Sequence, residues 1–244
     1  MAIITRPGLN DKRVITVSRA NLGGMRYGYT AQQIRDAEAP HLAAGEPLMT
    51  RAAAALADAV GEVLQRRGAA PGRVLLLVGS GNNGGDALFA GATLAAAGCE
   101  VSIVETGSHT HGAGLAAARE AGAVVLADAA AAAASADVIV DGILGTGAAA
   151  SPALRGHARE IVRTVMGARA AAAVVAVDIP SGIGPDDGSV PDPVVLRADV
   201  TVTFGGYKAG LLHGEAVAFA GDVRLVDIGI AGELATMTPV VVMP

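Results

Sequence analysis

The feature that most constrains the fold of this chain is the alternation of short apolar runs with helical stretches rich in alanine. The runs occupy residues 74–78, 101–104, 123–126, 138–140 and 174–177. Strands that are apolar on both faces and separated by helices are typical of a parallel sheet covered on both sides. The sequence therefore predicts an α/β fold, a three-layer αβα sandwich around a mostly parallel central sheet.

Sequence patterns that predict helices occur before the alternating segments and between them. Thr30 and Gln33 have the spacing of a capping box, which predicts a helix over residues 31–43. Apolar residues at three- and four-residue steps predict a second helix over residues 49–63. The alanine-rich run at residues 127–136 is interrupted by polar residues, and we interpret it as a short helix between two strands.

The last third of the chain has a different rhythm. Residues 200–204, 216–219 and 223–226 are apolar runs between glycine-rich turns. We predict that they are strands that extend the sheet, at least some of them through hairpins.

The composition limits the class of protein. A formal net charge of −5 over 244 residues leaves no broad basic surface, so we expect no nucleic-acid partner. Hydrophobic residues make up 52% of the chain but aromatic residues only 2%, which predicts a core of small aliphatic side chains. Cys99 is the single cysteine, and the chain has neither a secretory leader nor an apolar run of membrane-spanning length. We therefore expect a cytoplasmic protein that makes no membrane contact.

The most informative segment for function is the glycine-rich stretch GSGNNGGD at residues 79–86, which follows the first apolar run and precedes a helix. Glycines let a phosphate approach the backbone, and the first N–H groups of a helix point at a bound anion. The stretch lacks the Lys-Ser/Thr ending of a P-loop, which disfavours nucleoside triphosphate hydrolysis. It predicts an anion site, with a tight turn capped by Asn and Asp as the alternative.

Two further clusters also follow apolar runs. DGILGTG occupies residues 141–147, and VDIPSG occupies residues 177–182. In a parallel sheet the carboxyl ends of the strands share one edge, so these loops should meet the loop at residues 79–86 in one crevice. Asp141 or Ser181 alone would more often be a turn or cap residue, and only their shared placement indicates a site.

The polar residues of these loops offer oxygen ligands. Amide, carboxylate and hydroxyl oxygens suit an alkali or alkaline-earth cation rather than zinc. His109 and His111 have an HxH spacing, but they lie in a loop with no third ligand nearby, so we do not assign them a metal.

Taken together, these motifs resemble the YjeF N-terminal domain family, the NAD(P)H-hydrate epimerases. The resemblance covers about residues 27–232 and extends to ADVTVTFGGYKAGLL at residues 198–212 and AGDVRLVDIGI at residues 220–230. It implies a Rossmann-like αβα sandwich, usually a homodimer, that interconverts the R and S forms of NADHX and NADPHX, the hydrated forms of NADH and NADPH. It also implies a bound potassium ion.

The resemblance assigns roles to individual residues. It implies potassium ligation by Asn83, Asp141 and Ser181, and contact of Asp178 with the reacting ring. Asp178 is our first choice of catalytic residue and Asp86 the second. The implied substrate-binding residues are Asn82, Asn83, Gly84, Gly85, Asp86, Gly145, Thr146, Gly147, Ala148, Ala149, Ala150, Ser151 and Asp178.

Two details qualify these assignments. Residues 148–152 are about one residue longer than the family's usual turn and lack its second glycine, so the sequence departs from the family pattern after Gly147. Pro180 enforces a turn after the strand, so we expect the Asp178 carboxylate at the crevice rather than in the core. Lys208 is open to two interpretations, a phosphate ligand or a solvated surface lysine.

The domain limits follow from the same signals. We predict an N-terminal extension at residues 1–24, the epimerase domain at residues 25–232 and a C-terminal tail at residues 233–244. Some bacterial members are fused to an ADP- or ATP-dependent dehydratase, for which residues 233–244 leave no room. We expect functional coupling to such a dehydratase, whether this chain is free-standing or a portion of a longer protein.

Two other functions remain open. One is a non-catalytic YjeF-like module that binds nucleotides or acts as a scaffold. The other is a conventional NAD(P) dehydrogenase. Against a dehydrogenase, the GxGxxG order is absent, and Glu105 is the single candidate for the carboxylate that would bind a ribose.

Overall fold

The computed structural model of this chain describes residues 24–244. The predicted N-terminal extension, residues 1–24, lies outside the described residues except for Gly24. The helices are α1 (Ala31–Ala43), α2 (Leu48–Arg66), α3 (Asn82–Ala96), α4 (Gly112–Glu120), α5 (Ala129–Ser135), α6 (Gly156–Ala168), α7 (Val217–Ala220) and α8 (Ala231–Leu234). The strands are β1 (Arg26–Tyr29), β2 (Arg73–Val78), β3 (Glu100–Glu105), β4 (Val124–Val125), β5 (Val138–Gly142), β6 (Ala173–Val177), β7 (Val200–Phe204), β8 (Tyr207–Lys208), β9 (Asp222–Val226) and β10 (Val241–Met243).

The central sheet has seven strands in the order β4-β3-β2-β5-β6-β7-β9, and all of its neighbouring strands are parallel. All five apolar runs of the first prediction are strands of this sheet. The chain builds outward from β2 in one direction and from β5 in the other, so the strand order reverses between these two strands. In parallel α/β sheets ligands bind at such a reversal, outside the carboxyl ends of the strands.

Helices cover both faces of the sheet, which confirms the three-layer prediction. On β2 the side chains of Val74, Leu76 and Val78 pack toward α2, α3 and α4. Those of Leu75 and Leu77 point to the other face and pack toward α5 and α6. Both core clusters are built almost entirely from Ala, Val, Leu and Ile side chains, as the composition predicts.

The last third of the chain differs from the prediction in two respects. Residues 216–219 do not form a strand, because α7 occupies residues Val217–Ala220. Periodicity cannot distinguish a strand from one helical turn in an apolar run of four residues. β7 and β9 are parallel neighbours, with Val200 opposite Asp222, so a crossover through α7 joins them where we predicted a hairpin.

A second, three-stranded sheet stands apart from the first, in the order β10-β1-β8. β1 pairs in parallel with β8, and it pairs antiparallel with β10, which lies within the predicted C-terminal tail. This sheet holds both ends of the described chain together and places β8 beside the start of α1. No helix within residues 24–244 is long and apolar enough to cross a membrane.

Helix α1 is fastened at both ends. The predicted capping box is present, because the Thr30 hydroxyl accepts from the backbone N–H of Gln33 at 3.1 Å and the Gln33 side chain accepts from the backbone N–H of Thr30 at 2.9 Å. The Gln33 amide also donates to the Thr238 carbonyl at 2.8 Å. Near the other end, His41 lies 3.0 Å from the carboxylate of Glu233 on α8. The C-terminal segment therefore holds α1 in place.

Candidate active site

A crevice of about 530 Å³ opens where the strand order reverses, at the carboxyl ends of β2 and β5. Residues 79–83 and 143–148 form most of its lining. The third predicted loop, residues 177–182, lies against these two without being part of the lining, and it contacts them through hydrogen bonds. The convergence predicted from strand ends is therefore present.

The loops after β2 and β5 approach each other so closely that side chains would not fit between them. A Cβ atom on Gly79 would overlap the Ile143 carbonyl, and one on Gly84 would overlap the Gly79 carbonyl. A Cβ atom on Gly145 would overlap the amide of Asn83. Glycine is required at these positions because of close approach rather than an unusual backbone conformation.

The Asp141 carboxylate is buried at the end of β5 and is fully engaged by hydrogen bonds. Ser181 donates to it twice, from its hydroxyl at 2.6 Å and from its backbone N–H at 2.8 Å. The backbone N–H of Ile143 approaches one of its oxygens at 3.4 Å. The Ser181 hydroxyl in turn accepts from the backbone N–H of Leu144 at 2.8 Å. Asp141 and Ser181 thus tie the second loop to the third.

Asn83, in the first turn of α3, ties the first loop to the same place. Its side-chain amide donates to the carbonyl oxygens of Val177 at 2.6 Å and of Leu144 at 3.1 Å. The Ser181 hydroxyl lies 3.4 Å from the same Leu144 carbonyl, so the three predicted metal ligands Asn83, Asp141 and Ser181 converge on one point.

This donor set fits a hard monovalent cation. Burial raises the pKa of Asp141, and only the hydrogen bonds from Ser181 and Ile143 oppose that rise. Within residues 24–244 no cationic side chain forms an ion pair with Asp141, and the amide oxygen of Asn83 accepts no hydrogen bond. Oxygen atoms beside an uncompensated buried carboxylate suit an alkali ion. The described residues contain no group of three or more His, Cys, Asp or Glu side chains placed for a metal.

Asp178 follows β6 and has an unusual backbone. Its φ of 67° lies in the left-handed region, and among the described residues it is the one non-glycine residue there. Such a conformation costs roughly 1–3 kcal/mol and is found most often at functional sites. One oxygen, Oδ1, accepts from the Phe204 backbone N–H at 3.2 Å and from the Thr203 hydroxyl at 3.3 Å, which leaves Oδ2 for a ligand.

The structure does not place Lys208 as either of the two predicted alternatives, a phosphate ligand or a solvated surface lysine. It is 1% exposed, and its ammonium forms an ion pair with Asp178 Oδ1. The ammonium also donates to the Phe204 carbonyl at 2.9 Å and to the Thr203 hydroxyl at 3.2 Å. The cause is β8, which turns back over the end of β7. The same pairing leaves the Asp178 side chain only 9% exposed, so its carboxylate is less open to the crevice than expected.

Two more carboxyl groups belong to this buried charge cluster, which we define as Glu38, Asp86, Asp178 and Lys208. Glu38 projects from α1 and lines the crevice, and burial raises its pKa. Asp86 lies in the second turn of α3, and its Oδ1 atom is buried without a hydrogen-bond partner among the described residues. The charge cluster thus holds three carboxyl groups and one ammonium group.

The predicted substrate-binding residues fall into three groups. Those that line the crevice are Asn82, Asn83, Gly145, Thr146, Gly147 and Ala148. Those buried behind it are Gly84, Gly85, Asp86 and Asp178. Those outside the described lining are Ala149, Ala150 and Ser151, and the Ser151 hydroxyl accepts from Arg155 at 2.5 Å. Which of them contact substrate stays a prediction.

The sequence analysis missed several crevice residues. Thr106 and Gly107 follow β3, so the rule about strand ends would have found them. Arg35, whose guanidinium donates to the Thr146 carbonyl at 3.2 Å, and Glu38 lie on α1, outside the sheet, where no pattern marks them. His111, in the disfavoured HxH, accepts from the Gly114 backbone N–H and caps α4.

Comparison with known proteins agrees with this geometry. A protein from Clavibacter sepedonicus named NAD(P)H-hydrate epimerase is 51% identical over 228 residues, which cover 89% of this chain and 96% of that protein. The bifunctional NAD(P)H-hydrate repair enzyme Nnr of Mycobacterium tuberculosis strain CDC 1551 is 42% identical over 211 residues, 84% of this chain but 42% of Nnr.

The fold has a counterpart among solved structures. The crystal structure of the yeast protein YNL200c superposes with a TM-score of 0.69 over 81% of this chain and 86% of that chain, at 20% sequence identity. Residues 45–210 match the family described as YjeF-related protein N-terminus. This match includes all three loops of the crevice and the buried Lys208. The chain belongs to the YjeF-related protein N-terminus family.

Proposed function

We propose that this protein is an NAD(P)H-hydrate epimerase, an isomerase that interconverts the R and S forms of NADHX and NADPHX. The observation that carries the proposal is the crevice at the strand reversal, which has a glycine-rich loop and the start of α3 on one side and the buried carboxyl groups of Asp86 and Asp178 beside it. Relatives that are about half identical over nearly their whole length bear this enzyme's name. The place of the site in the fold is the place where parallel α/β sheets bind nucleotides.

The glycine-rich side of the crevice suits the phosphates of the substrate. Asn82 and Asn83 open α3, and the backbone N–H groups at the start of a helix favour an anion. Thr146 and Gly147 face them from the loop after β5, and Arg35 brings a positive charge to the same rim. Pyrophosphate bound here would leave the nicotinamide-derived ring toward the charge cluster.

The reaction needs no oxidant. The hydrated ring carries a hydroxyl at C6, next to the ring nitrogen, and its departure leaves a positive charge shared between C6 and that nitrogen. Water then adds to the opposite face and gives the other epimer. The Asp178 carboxylate, oriented by Lys208 and the Phe204 backbone, stabilises this charge through Oδ2, because a preoriented anion in a buried site stabilises a developing cation without reorganisation.

A potassium ion completes the site in this proposal. Asn83, Asp141 and Ser181 would hold it, and when bound it would supply positive charge that fixes the loops and helps to neutralise a phosphate. Potassium is a weak Lewis acid, so Asp141 and Ser181 contribute by position rather than by activating water.

The alternatives are weaker on specific grounds. A non-catalytic YjeF-like module has no need of a left-handed Asp178 or of buried charges beside a crevice, whereas an enzyme does. A dehydrogenase would need a carboxylate free to bind a ribose, but Glu105 already accepts from the Thr110 hydroxyl. The homodimer, the cytoplasmic location and coupling to a dehydratase stay predictions. The name of Nnr, a bifunctional repair enzyme, supports the coupling.

The test is to incubate the protein with separated R-NADHX and R-NADPHX and to follow the S forms by chromatography against the spontaneous background. We expect acceleration with both substrates and a further increase with potassium. A protein that gives no acceleration at any potassium concentration, yet is stabilised by nucleotides carrying ADP-ribose, would be the non-catalytic module instead.

A further inference from the structure

Asp86 is the buried polar group that the fold does not explain. The residue is 6% exposed, and its Oδ1 atom has no hydrogen-bond partner within residues 24–244. An unpaired carboxylate in such a place is costly, and buried polar groups are nearly always satisfied. An acidic side chain that is kept there without a partner therefore points to a ligand that supplies one.

The position of Asp86 on α3 indicates where that ligand lies. Asp86 comes four residues after Asn82 and three after Asn83, so all three share one face of the helix. Asn82 and Asn83 line the crevice, and Asp86 lies one turn further along the same face. It stands behind the anion site, on the side of the charge cluster.

Charges from three other elements act on Asp86. Asp178 follows β6, Glu38 belongs to α1, and Lys208 belongs to β8. His111, at the start of α4, packs close to Gly85, the residue before Asp86. Three carboxyl groups around one ammonium cannot all ionise at low cost, because like charges oppose one another in a buried site.

Asp86 is the group that stays neutral. Burial, followed by the charges of Asp178 and Glu38, raises the pKa of Asp86 to about 8, although Lys208 lowers it in part. Asp178 holds the ion pair with Lys208, whereas Asp86 forms no ion pair with any residue from 24 to 244. Near neutral pH Asp86 therefore carries a proton, and its hydroxyl is a donor beside an ionised partner. Pairs of carboxyl groups with unequal protonation divide the roles of acid and base.

We propose that protonated Asp86 is the general acid of the epimerisation, an inference that rests on the function proposed above. The bond between C6 and its hydroxyl oxygen breaks, the electron pair leaves with the oxygen, and the Asp86 proton joins it to form water. The products are the ring cation, water and the Asp86 carboxylate. When water adds to the opposite face, its released proton returns through the bound water to Asp86, so no proton is consumed over the cycle.

The decisive variant is Asp86→Asn, which keeps the shape of the side chain but cannot supply the proton. We expect the R-to-S rate to fall about 10²-fold, the scale of a positioned acid. The wild-type rate should decline as the pH rises through about 8, whereas the residual rate of the variant should lack that decline. Asp36→Asn, on the exposed side of α1, is the matched control and should change neither.

Stability provides a readout that does not depend on activity. A carboxyl group whose folded pKa is raised contributes stability below its unfolded pKa and loses it as the pH rises to the folded value. The melting temperature of Asp86→Asn relative to wild type should therefore increase from about pH 4 to about pH 8 and then level off. A flat difference over this range would mean that Asp86 is ionised throughout, which overturns the proposal.

The kinetic outcomes separate the two claims. Wild-type protein without epimerase activity would overturn the proposed function and this inference with it. An active wild type beside an Asp86→Asn variant within about threefold of its rate would overturn the role of Asp86 alone. A decline of the R-to-S rate near pH 8 that persists in the variant would also overturn the role of Asp86. A large loss of rate with the decline removed and the pH-dependent stability difference present would support Asp86 as the acid.

Discussion

The two groups of buried carboxylates beside the crevice are satisfied in opposite ways. In the described part of the chain Asp141 has no charged partner, but backbone and hydroxyl donors engage both of its oxygens. Asp178 and Asp86 belong to the charge cluster, where one ammonium serves three carboxyl groups and Asp86 Oδ1 has no partner among the described residues. A fully bonded carboxylate holds loops in place, whereas one left incomplete is available for chemistry. The difference supports the proposal that Asp141 positions the loops and that Asp178 and Asp86 take part in the reaction.

The largest expected effect comes from removing the cation of the charge cluster. Lys208→Met should destabilise the fold by about 3–5 kcal/mol, because it leaves a buried carboxylate without its partner. The free energy of unfolding in urea measures this loss. The double variant Lys208→Met with Asp178→Asn should recover part of it, since the carboxylate that pairs with Lys208 is then replaced by a neutral amide. Equal losses in the single and the double variant would show that Lys208 matters for packing rather than for charge.

The next prediction concerns the rate of the reaction. Asp178→Asn removes the charge and keeps the shape, and Asn tolerates the left-handed backbone of this position. If Asp178 stabilises the ring cation, the R-to-S rate should fall on the order of 10²-fold or more. If Asp178 serves only to hold the fold, the variant should lose about 3–5 kcal/mol of stability, because the buried Lys208 ammonium then lacks its partner, while the remaining folded protein keeps near-normal turnover. Measuring both quantities on one variant distinguishes the two roles.

The smallest expected effect concerns Asp141 and the hydrogen bond that it accepts from the Ser181 hydroxyl. Ser181→Ala removes a hydroxyl that bonds Asp141 and Leu144, and it should cost about 1–2 kcal/mol of stability.

Potassium chloride should raise the melting temperature of wild type more than lithium chloride at equal ionic strength, because an ion that binds only the folded state stabilises it. The same difference should be absent in Ser181→Ala. A potassium effect that survives the substitution would remove Ser181 from the ligand set.

Local rules were enough to predict much of this molecule. The five apolar runs are strands, and the rule that parallel strands end at one edge brought the loops of Asn83, Asp141 and Ser181 together correctly. The capping box at the start of α1 is local chemistry between residues three positions apart, and it is present. Each of these predictions depends on a spacing of a few residues or on one topological rule.

The rest depends on contacts that no local pattern encodes. Lys208 meets Asp178 across thirty residues, through a strand that belongs to a different sheet. Glu38 reaches the crevice from a helix outside the sheet altogether. Residues 216–219 became a helical turn because a run of four apolar residues fits both periods, and the crossover to β9 needed a turn there. The sequence therefore predicted the charge cluster less completely than it predicted the loops of the crevice.

The fastening of α1 has a consequence for how the protein opens. Glu38 and Arg35 reach the crevice from a helix that is held by Thr238, Glu233 and the small sheet, whereas the floor of the crevice belongs to the central sheet. Cooperative units with fewer buried apolar contacts exchange their amide hydrogens sooner. Ile34 and Ala37 of α1 pack in the same core cluster as the central sheet, and a substrate that contacts both the rim and the floor would add a further link between them. We therefore expect ligand binding to slow amide exchange in the C-terminal segment, although residues 231–244 do not line the crevice.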